Sequence, residues 1–231
     1  MSTFVIVPGI TSGGWYLGQV ATLLGAAGHV VFRPTLTGLG ERAHLLSPAI
    51  DLATHIQDVW GVLEYEDLQA VILVGHSYGG MVITGVAERL PHRLIHLVYL
   101  DALVPADGEA AVDLMAPAAV SQLEQMVQQD GAGWRLPADS RTGSADPRRT
   151  DHPWKTMTQP LAITRPEAAR LARTYISCTA DKAPGTFMHA IFATSAARAR
   201  AAGWHFVELD ATHSVIRTAP NQLVAVLLSL V

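Results

Sequence analysis

The segment QAVILVG, residues 69–75, constrains the fold most because nearly every position in it is apolar. A strand with one buried face alternates apolar and polar residues, whereas this run indicates a strand buried on both faces, as at the centre of a parallel sheet. Helical patterns separate most of the other runs predicted as strands, which are residues 3–7, 29–33, 94–100, 174–178 and 204–209. The chain is therefore predicted to be α/β, with a doubly wound, mostly parallel sheet.

One long stretch interrupts this alternation. Residues 105–168 contain seven prolines and two tryptophans and show no clear strand. A connection of this length inside a compact domain is usually functional. We therefore predict a small, mainly helical lid over residues 105–168, inserted into an α/β core of residues 1–104 and 169–231.

Composition excludes several classes of function. The formal net charge is −4 with no run of like charges, so no nucleic-acid or anionic-membrane partner is indicated, and no apolar stretch approaches the length of a membrane span. Cys178 is the sole cysteine and the first residues lack the pattern of an export signal, so a cytoplasmic protein is expected. The absence of HExxH, CxxC and GxGxxG patterns predicts neither a metal nor another cofactor.

The sequence GHSYGG directly follows the central apolar run and precedes a helical pattern. Residues 75–79 match G-x-S-x-G, and the strand-to-helix context is the one that a nucleophile elbow requires. A glycine-rich turn without catalytic purpose would explain the pattern less well. Ser77 is therefore the predicted nucleophile.

A serine hydroxyl needs a base, and the base needs a carboxylate that orients it. His213, in LDATHS after the last predicted strand, is the predicted base, whereas the preceding His76 is expected to have a packing role. Asp181, in CTADK after the penultimate strand, is favoured as the acid because it gives the chain order Ser, Asp, His. Asp101, at the end of LVYLD, is a rival for that role, or else caps a helix or lines the pocket.

The negative charge that develops on a substrate carbonyl needs two N–H donors. The expected donors are the amide of Tyr78, at the start of the helix, and that of Ile10, in the glycine-rich loop after the first strand. Thr11, Met115 and Trp134 are candidates for the substrate pocket together with Asp101, although packing of the lid onto the core explains the lid residues equally well.

The segments FVIVPGITSGGW, VGHSYGGM, YISCTADK and DATHS together resemble the α/β-hydrolase superfamily over the full length of the chain. More narrowly, they resemble the branch of plant methylesterases, hydroxynitrile lyases and their bacterial esterase relatives. The resemblance implies a serine esterase with Ser77, Asp181 and His213 as its triad, Ile10 and Tyr78 as oxyanion donors, and a mobile lid.

The chain departs from that pattern at three positions. Pro8 stands where the superfamily usually has histidine, and Gly9 and Ser214 stand where the similar lyases have a threonine and a lysine. We therefore expect a carboxylic-ester hydrolase for a small to medium apolar or aromatic substrate, acting as a monomer or homodimer. A lyase using the same triad and a non-catalytic small-molecule receptor are the alternatives.

Overall fold

The computed structural model of the protein describes residues 1–138 and 146–231. It contains a six-stranded sheet in which every neighbouring pair of strands is parallel, in the order β2-β1-β3-β4-β7-β8. These strands are β1 (Thr3–Val7), β2 (Val30–Phe32), β3 (Val71–His76), β4 (Leu94–Leu100), β7 (Ala172–Cys178) and β8 (His205–Leu209). The predicted α/β class and parallel sheet are confirmed.

Helices cover both faces of the sheet. The longer ones are α1 (Gly18–Ala26), α2 (Leu52–Tyr65), α3 (Gly79–Arg89), α4 (Pro117–Asp130), α7 (Phe187–Ala201) and α9 (Pro220–Leu228). Two buried apolar clusters result: one joins the sheet to α2, α3 and α7, and the other joins it to α1 and α9. Strand β3 is buried at all six positions, as its uninterrupted apolar sequence predicts.

The insertion between β4 and β7 carries α4, α5 (Lys155–Thr158) and α6 (Pro166–Ala169). It also contains an antiparallel pair of two-residue strands, β5 (Arg135–Leu136) and β6 (His152–Pro153), where the sequence showed no clear strand. Residues of the insertion such as Leu123 and Met157 belong to the same apolar cluster as the sheet. The segment 139–145 of the predicted lid lies outside the described residues, and the lid's boundaries stay a prediction.

None of the helices in the described ranges is long and apolar enough to cross a membrane.

Candidate active site

Ser77 occupies a strained turn between β3 and α3. Its φ angle is +58°, a left-handed conformation that a non-glycine residue rarely adopts. A Cβ atom at Gly75 would lie 2.5 Å from the carbonyl oxygen of Gly79, and one at Gly80 would lie 2.1 Å from that of Leu103. The glycines of GHSYGG are therefore required by close contacts, within the turn for Gly75 and with the loop after β4 for Gly80, and the turn holds the serine at the carboxyl end of the sheet.

The loop after β1 approaches Ser77 closely. A Cβ atom at Gly9 would lie 2.8 Å from Cβ and 3.2 Å from Oγ of Ser77. The next two residues, Ile10 and Thr11, line the same cavity as the serine. Position 9 has no room for the threonine of the similar lyases unless this loop moves.

The two predicted oxyanion donors belong to residues that line the same cavity as Ser77. Tyr78 immediately precedes α3, where helix amides have no acceptor within the helix. Within residues 1–138 and 146–231, neither the amide of Tyr78 nor that of Ile10 has an acceptor. Both amides and the positive end of the α3 dipole are thus available at the same end of the sheet.

The carboxylate that contacts the His213 ring belongs to Asp101. The sequence had favoured Asp181 for this role. Nδ1 of His213 lies 2.5 Å from Oδ2 of Asp101, whose side chain is completely buried. Asp181 instead accepts a hydrogen bond from the backbone N–H of His213 at 2.8 Å. The reason lies in the local backbone, because Asp101 directly follows β4, whereas Asp181 is three residues beyond the end of β7. We refer to His213 and Asp101 as the imidazole–carboxylate pair.

Asp101 is held as an anion despite its burial. Burial alone would raise the pKa of its carboxyl, but the hydrogen bond from His213 and the charge of Lys182 hold that pKa below its ordinary value. The amide of Cys178 donates to Oδ1 at 3.2 Å, and Nζ of Lys182 donates to Oδ2 at 2.6 Å. Lys182 was not among the residues predicted for the site, although it stands next to Asp181 in CTADK.

Two aromatic rings enclose the imidazole of His213. His76 stacks on one face with ring centroids 4.5 Å apart, and Phe192 of α7 stacks on the other at 4.7 Å. Nε2 of His76 lies 2.9 Å from the backbone carbonyl oxygen of His213. Burial lowers the pKa of His76 to about 3, so this ring is neutral and its Nε2–H donates to that carbonyl. The expected packing role of His76 therefore extends to holding the His213 backbone.

A second group of buried histidines connects the nucleophile turn to the insertion. Nδ1 of His55 lies 3.0 Å from the Tyr78 hydroxyl, and its Nε2 lies 3.0 Å from the carbonyl oxygen of Thr37. Across the Tyr78 ring, Nε2 of His152 lies 2.8 Å from the hydroxyl of Thr156. Burial lowers the pKa of both histidines, that of His55 to about 4, so both rings are neutral hydrogen-bonding groups.

A cavity of about 1260 Å³ opens in front of Ser77 and His213. One part of its wall is apolar and includes four of the six methionines of the chain, Met115, Met126, Met157 and Met188. Polar side chains provide the rest of the wall, and these include Gln122, Gln125, Gln129, Arg148, Arg149 and Arg217. The cavity is large enough for a drug-sized molecule.

The residues predicted for the pocket have different positions. Thr11 and Met115 line the cavity. Trp134 does not line it, because the turn after α4 directs the chain back onto β6, and the carbonyl of Trp134 accepts a hydrogen bond from Trp154. Asp101 lies behind His213, away from the cavity. No group of three or more His, Cys, Asp or Glu side chains in the described part of the chain is arranged to hold a metal ion.

Comparisons with known proteins agree with this geometry. The profile of the "Alpha/beta hydrolase family" matches residues 4–226. A carbendazim hydrolyzing esterase from Nocardioides sp. is 35% identical over 96% of this chain and 97% of its own length. The putative chloroplastic methylesterase 11 of Arabidopsis thaliana is 28% identical over 49% of this chain and 29% of its own length. An extracellular alpha/beta-hydrolase from a Paenibacillus species superposes with a TM-score of 0.83 at 22% identity, covering 99% of this chain and 98% of that one. The resemblance predicted from the four sequence segments is confirmed.

Proposed function

The chain belongs to the alpha/beta hydrolase family, and we propose that it is a serine esterase that cleaves carboxylic esters of small to medium apolar or aromatic compounds. One observation carries the proposal: His213, whose ring lies 2.5 Å from the buried carboxylate of Asp101, lines the same cavity as a serine held at a φ angle of +58°. The names of the relatives, an esterase and a methylesterase, support the same reaction.

The proposed reaction begins with Ser77 as nucleophile. Because Asp101 holds Nδ1–H of His213, the free Nε2 accepts the proton of the Ser77 hydroxyl as its oxygen bonds to the ester carbonyl carbon. The amides of Ile10 and Tyr78 donate to the resulting oxyanion. The imidazolium then gives its proton to the departing alkoxide, which leaves as the alcohol.

Water completes the cycle. His213 takes one proton from water, and the hydroxide oxygen bonds to the acyl carbon. The ester bond to Ser77 then breaks, and the serine oxygen regains the proton from His213. In this scheme Asp101 keeps its charge throughout and stabilises the imidazolium. Asp181 acts on the backbone of residue 213 and not on its ring.

The shape of the cavity supports a broad but limited range of substrates. Methionine side chains are flexible and polarizable, so a wall containing Met115, Met126, Met157 and Met188 adapts to flat or irregular apolar groups. The polar part of the wall, with its glutamine and arginine side chains, suits acceptor groups on the same molecule.

Cyanohydrin cleavage fits the site less well than ester hydrolysis. Such a lyase needs a cation to stabilise the cyanide leaving group, and Ser214 occupies the position after His213. The ammonium group of Lys182 is bound to Asp101 and to the carbonyl of Cys178 and does not line the cavity. The third function, a receptor, would not require the buried imidazole–carboxylate pair.

The test compares Ser77→Ala with Ser214→Ala, a second serine that lines the cavity. With p-nitrophenyl esters, loss of the Ser77 hydroxyl should lower kcat by about 10⁴–10⁶-fold, whereas the Ser214 variant should stay within about tenfold of the wild type. A fluorophosphonate probe should label the wild type and the Ser214 variant only. A Ser77→Ala protein with near wild-type turnover would refute the proposal, and cyanide release from a cyanohydrin faster than ester hydrolysis would favour the lyase.

A further inference from the structure

Lys182 makes an unusual contact for a residue next to a catalytic site. Its Nζ lies 2.6 Å from Oδ2 of Asp101 and 2.6 Å from the carbonyl oxygen of Cys178. Oδ1 of Asp181 lies farther away, at 3.5 Å. The Lys182 side chain is only 11% exposed and that of Asp101 is completely buried, so the ion pair is shielded from solvent.

The ammonium group and the catalytic ring contact the same carboxylate oxygen. Oδ2 of Asp101 accepts hydrogen bonds both from Nδ1 of His213, at 2.5 Å, and from Nζ of Lys182. Among the described residues, the other oxygen accepts a hydrogen bond only from the amide of Cys178. The carboxylate of Asp101 therefore interacts both with the ammonium group of Lys182 and with a ring that becomes a cation during each proposed turnover.

We propose that Lys182 is a positioning residue that sets the basicity of His213 through the shared oxygen of Asp101. The proposal rests on the esterase function above. Without Lys182, Asp101 would stabilise a protonated His213 more strongly, and the ring would be occupied by a proton before it could accept one from Ser77. With Lys182 in place, the charge of Asp101 has a second partner, and the lysine helps to hold the pKa of the buried carboxylate below its ordinary value.

The other groups that face the imidazole–carboxylate pair do not supply this charge. Tyr175 and Cys178 on β7 are uncharged because burial raises the pKa of each. His76 on β3 is neutral, and α7 contributes the apolar ring of Phe192. Asp181 contributes a negative charge 3.5 Å from Nζ of Lys182. Arg149 and Arg217 line the cavity together with His213, and they donate hydrogen bonds to Thr11, Ser12 and Asp146. Lys182 is thus the cation in direct contact with the pair within the described residues.

The experiment measures kcat/KM against pH for the wild type, Lys182→Met and Lys182→Arg. Methionine keeps the length of the side chain and removes the charge, so the acidic limb of the profile should move to higher pH by about one to two units. At pH values above the limb, kcat/KM should return to within about tenfold of the wild type, which also shows that the variant is folded. The charge-retaining arginine should restore the limb to within about half a unit of the wild type.

Asp181→Asn provides a matched variant of opposite charge. An asparagine Oδ1 still accepts from the backbone N–H of His213, and loss of the negative charge leaves Lys182 less compensated. The limb should therefore move slightly to lower pH, opposite to Lys182→Met. This variant also tests the proposal if Lys182→Met does not fold.

A titration of the His213 ring by NMR, with ¹⁵N-labelled histidine and His213→Gln for assignment, reads the same property without substrate. A higher titration midpoint of the His213 ring in Lys182→Met supports the proposal even if no ester is turned over. The result of this titration is therefore separable from that of the esterase proposal. An unmoved ring titration and acidic limb would overturn it. An equal loss of activity at every pH in Lys182→Met would also overturn the proposal. The same holds if the acidic limb moves in the same direction in Lys182→Met and Asp181→Asn.

Discussion

Acid should destabilise this protein unusually steeply because His55, His76 and His152 are buried as neutral rings. Burial lowers the pKa of His55 to about 4 and that of His76 to about 3, and it lowers the pKa of His152 strongly. In the unfolded chain each imidazole has a pKa of about 6.5. Between pH 6 and pH 4 the unfolded chain therefore binds about three protons that the folded chain does not.

The effect on the free energy of unfolding follows from this difference in bound protons. Each such histidine changes the free energy of unfolding by about 1.4 kcal/mol per pH unit, so three together give about 4 kcal/mol per unit near pH 5. Since the folded-state pKa values are lowered, stability is complete above about pH 6.5 and is lost as the pH falls. A typical domain has about 5–15 kcal/mol in total, so unfolding should occur between about pH 5 and pH 3.

Urea unfolding at half-unit intervals from pH 7 to pH 5 measures this slope while most carboxylates are still ionised. Over this range His55→Gln should reduce the average slope by about 1 kcal/mol per pH unit, because glutamine offers a donor for the Thr37 carbonyl and an acceptor for the Tyr78 hydroxyl but does not titrate. His92→Gln is the control, since that ring is exposed and meets similar solvent in both states. A wild-type slope below about 1.4 kcal/mol per unit, or equal slopes in the wild type and His55→Gln, would refute the reasoning.

Three further predictions concern the site and its scaffold. Asp101→Asn should lower kcat by about 10⁴-fold with p-nitrophenyl esters, whereas Asp181→Asn should lower it by less than about tenfold, and the reverse order would return the role of acid to Asp181. Gly80→Ala should lower the free energy of unfolding by about 2–3 kcal/mol, because its Cβ would lie 2.1 Å from a carbonyl oxygen, while Gly61→Ala, with open space around it in α2, should raise it by about 0.5–1 kcal/mol. Met115→Trp should fill part of the cavity and raise KM for a benzoate ester more than for an acetate ester, and equal changes in both would place Met115 outside the substrate path.

The parts of the fold that depend on local pattern could be predicted from the sequence. The apolar run of residues 69–74 became β3, which extends two residues further, to His76. The nucleophile turn could be located from the G-x-S-x-G pattern between a strand and a helix, although the contacts that require Gly79 and Gly80 come from the distant residues Val7 and Leu103. The α4 helix begins at Pro117, because proline favours the first turn of a helix.

Features that depend on distant contacts could not be predicted in this way. Trp134 was expected in the pocket from its aromatic character alone, but the path of the chain after α4 determines where it lies. The antiparallel pair β5 and β6 joins two-residue strands, which are too short for a periodic pattern to be visible. A cytoplasmic location and a monomeric or homodimeric state stay predictions.

Which aspartate contacts the His213 ring could not be decided from the sequence. Asp101 and Asp181 both follow strands whose carboxyl ends meet at the same edge, and β4 and β7 are hydrogen-bonded neighbours. Adjacent strands are only about 4.8 Å apart, so a carboxylate on either one can reach the same imidazole. The local backbone decides between them: Asp101 directly follows β4 with a φ angle of +46° and is completely buried, whereas Asp181 is three residues beyond the end of β7 and is partly exposed. Asp181 therefore accepts a hydrogen bond from the backbone N–H of His213, and the buried carboxylate of Asp101 accepts one from the ring.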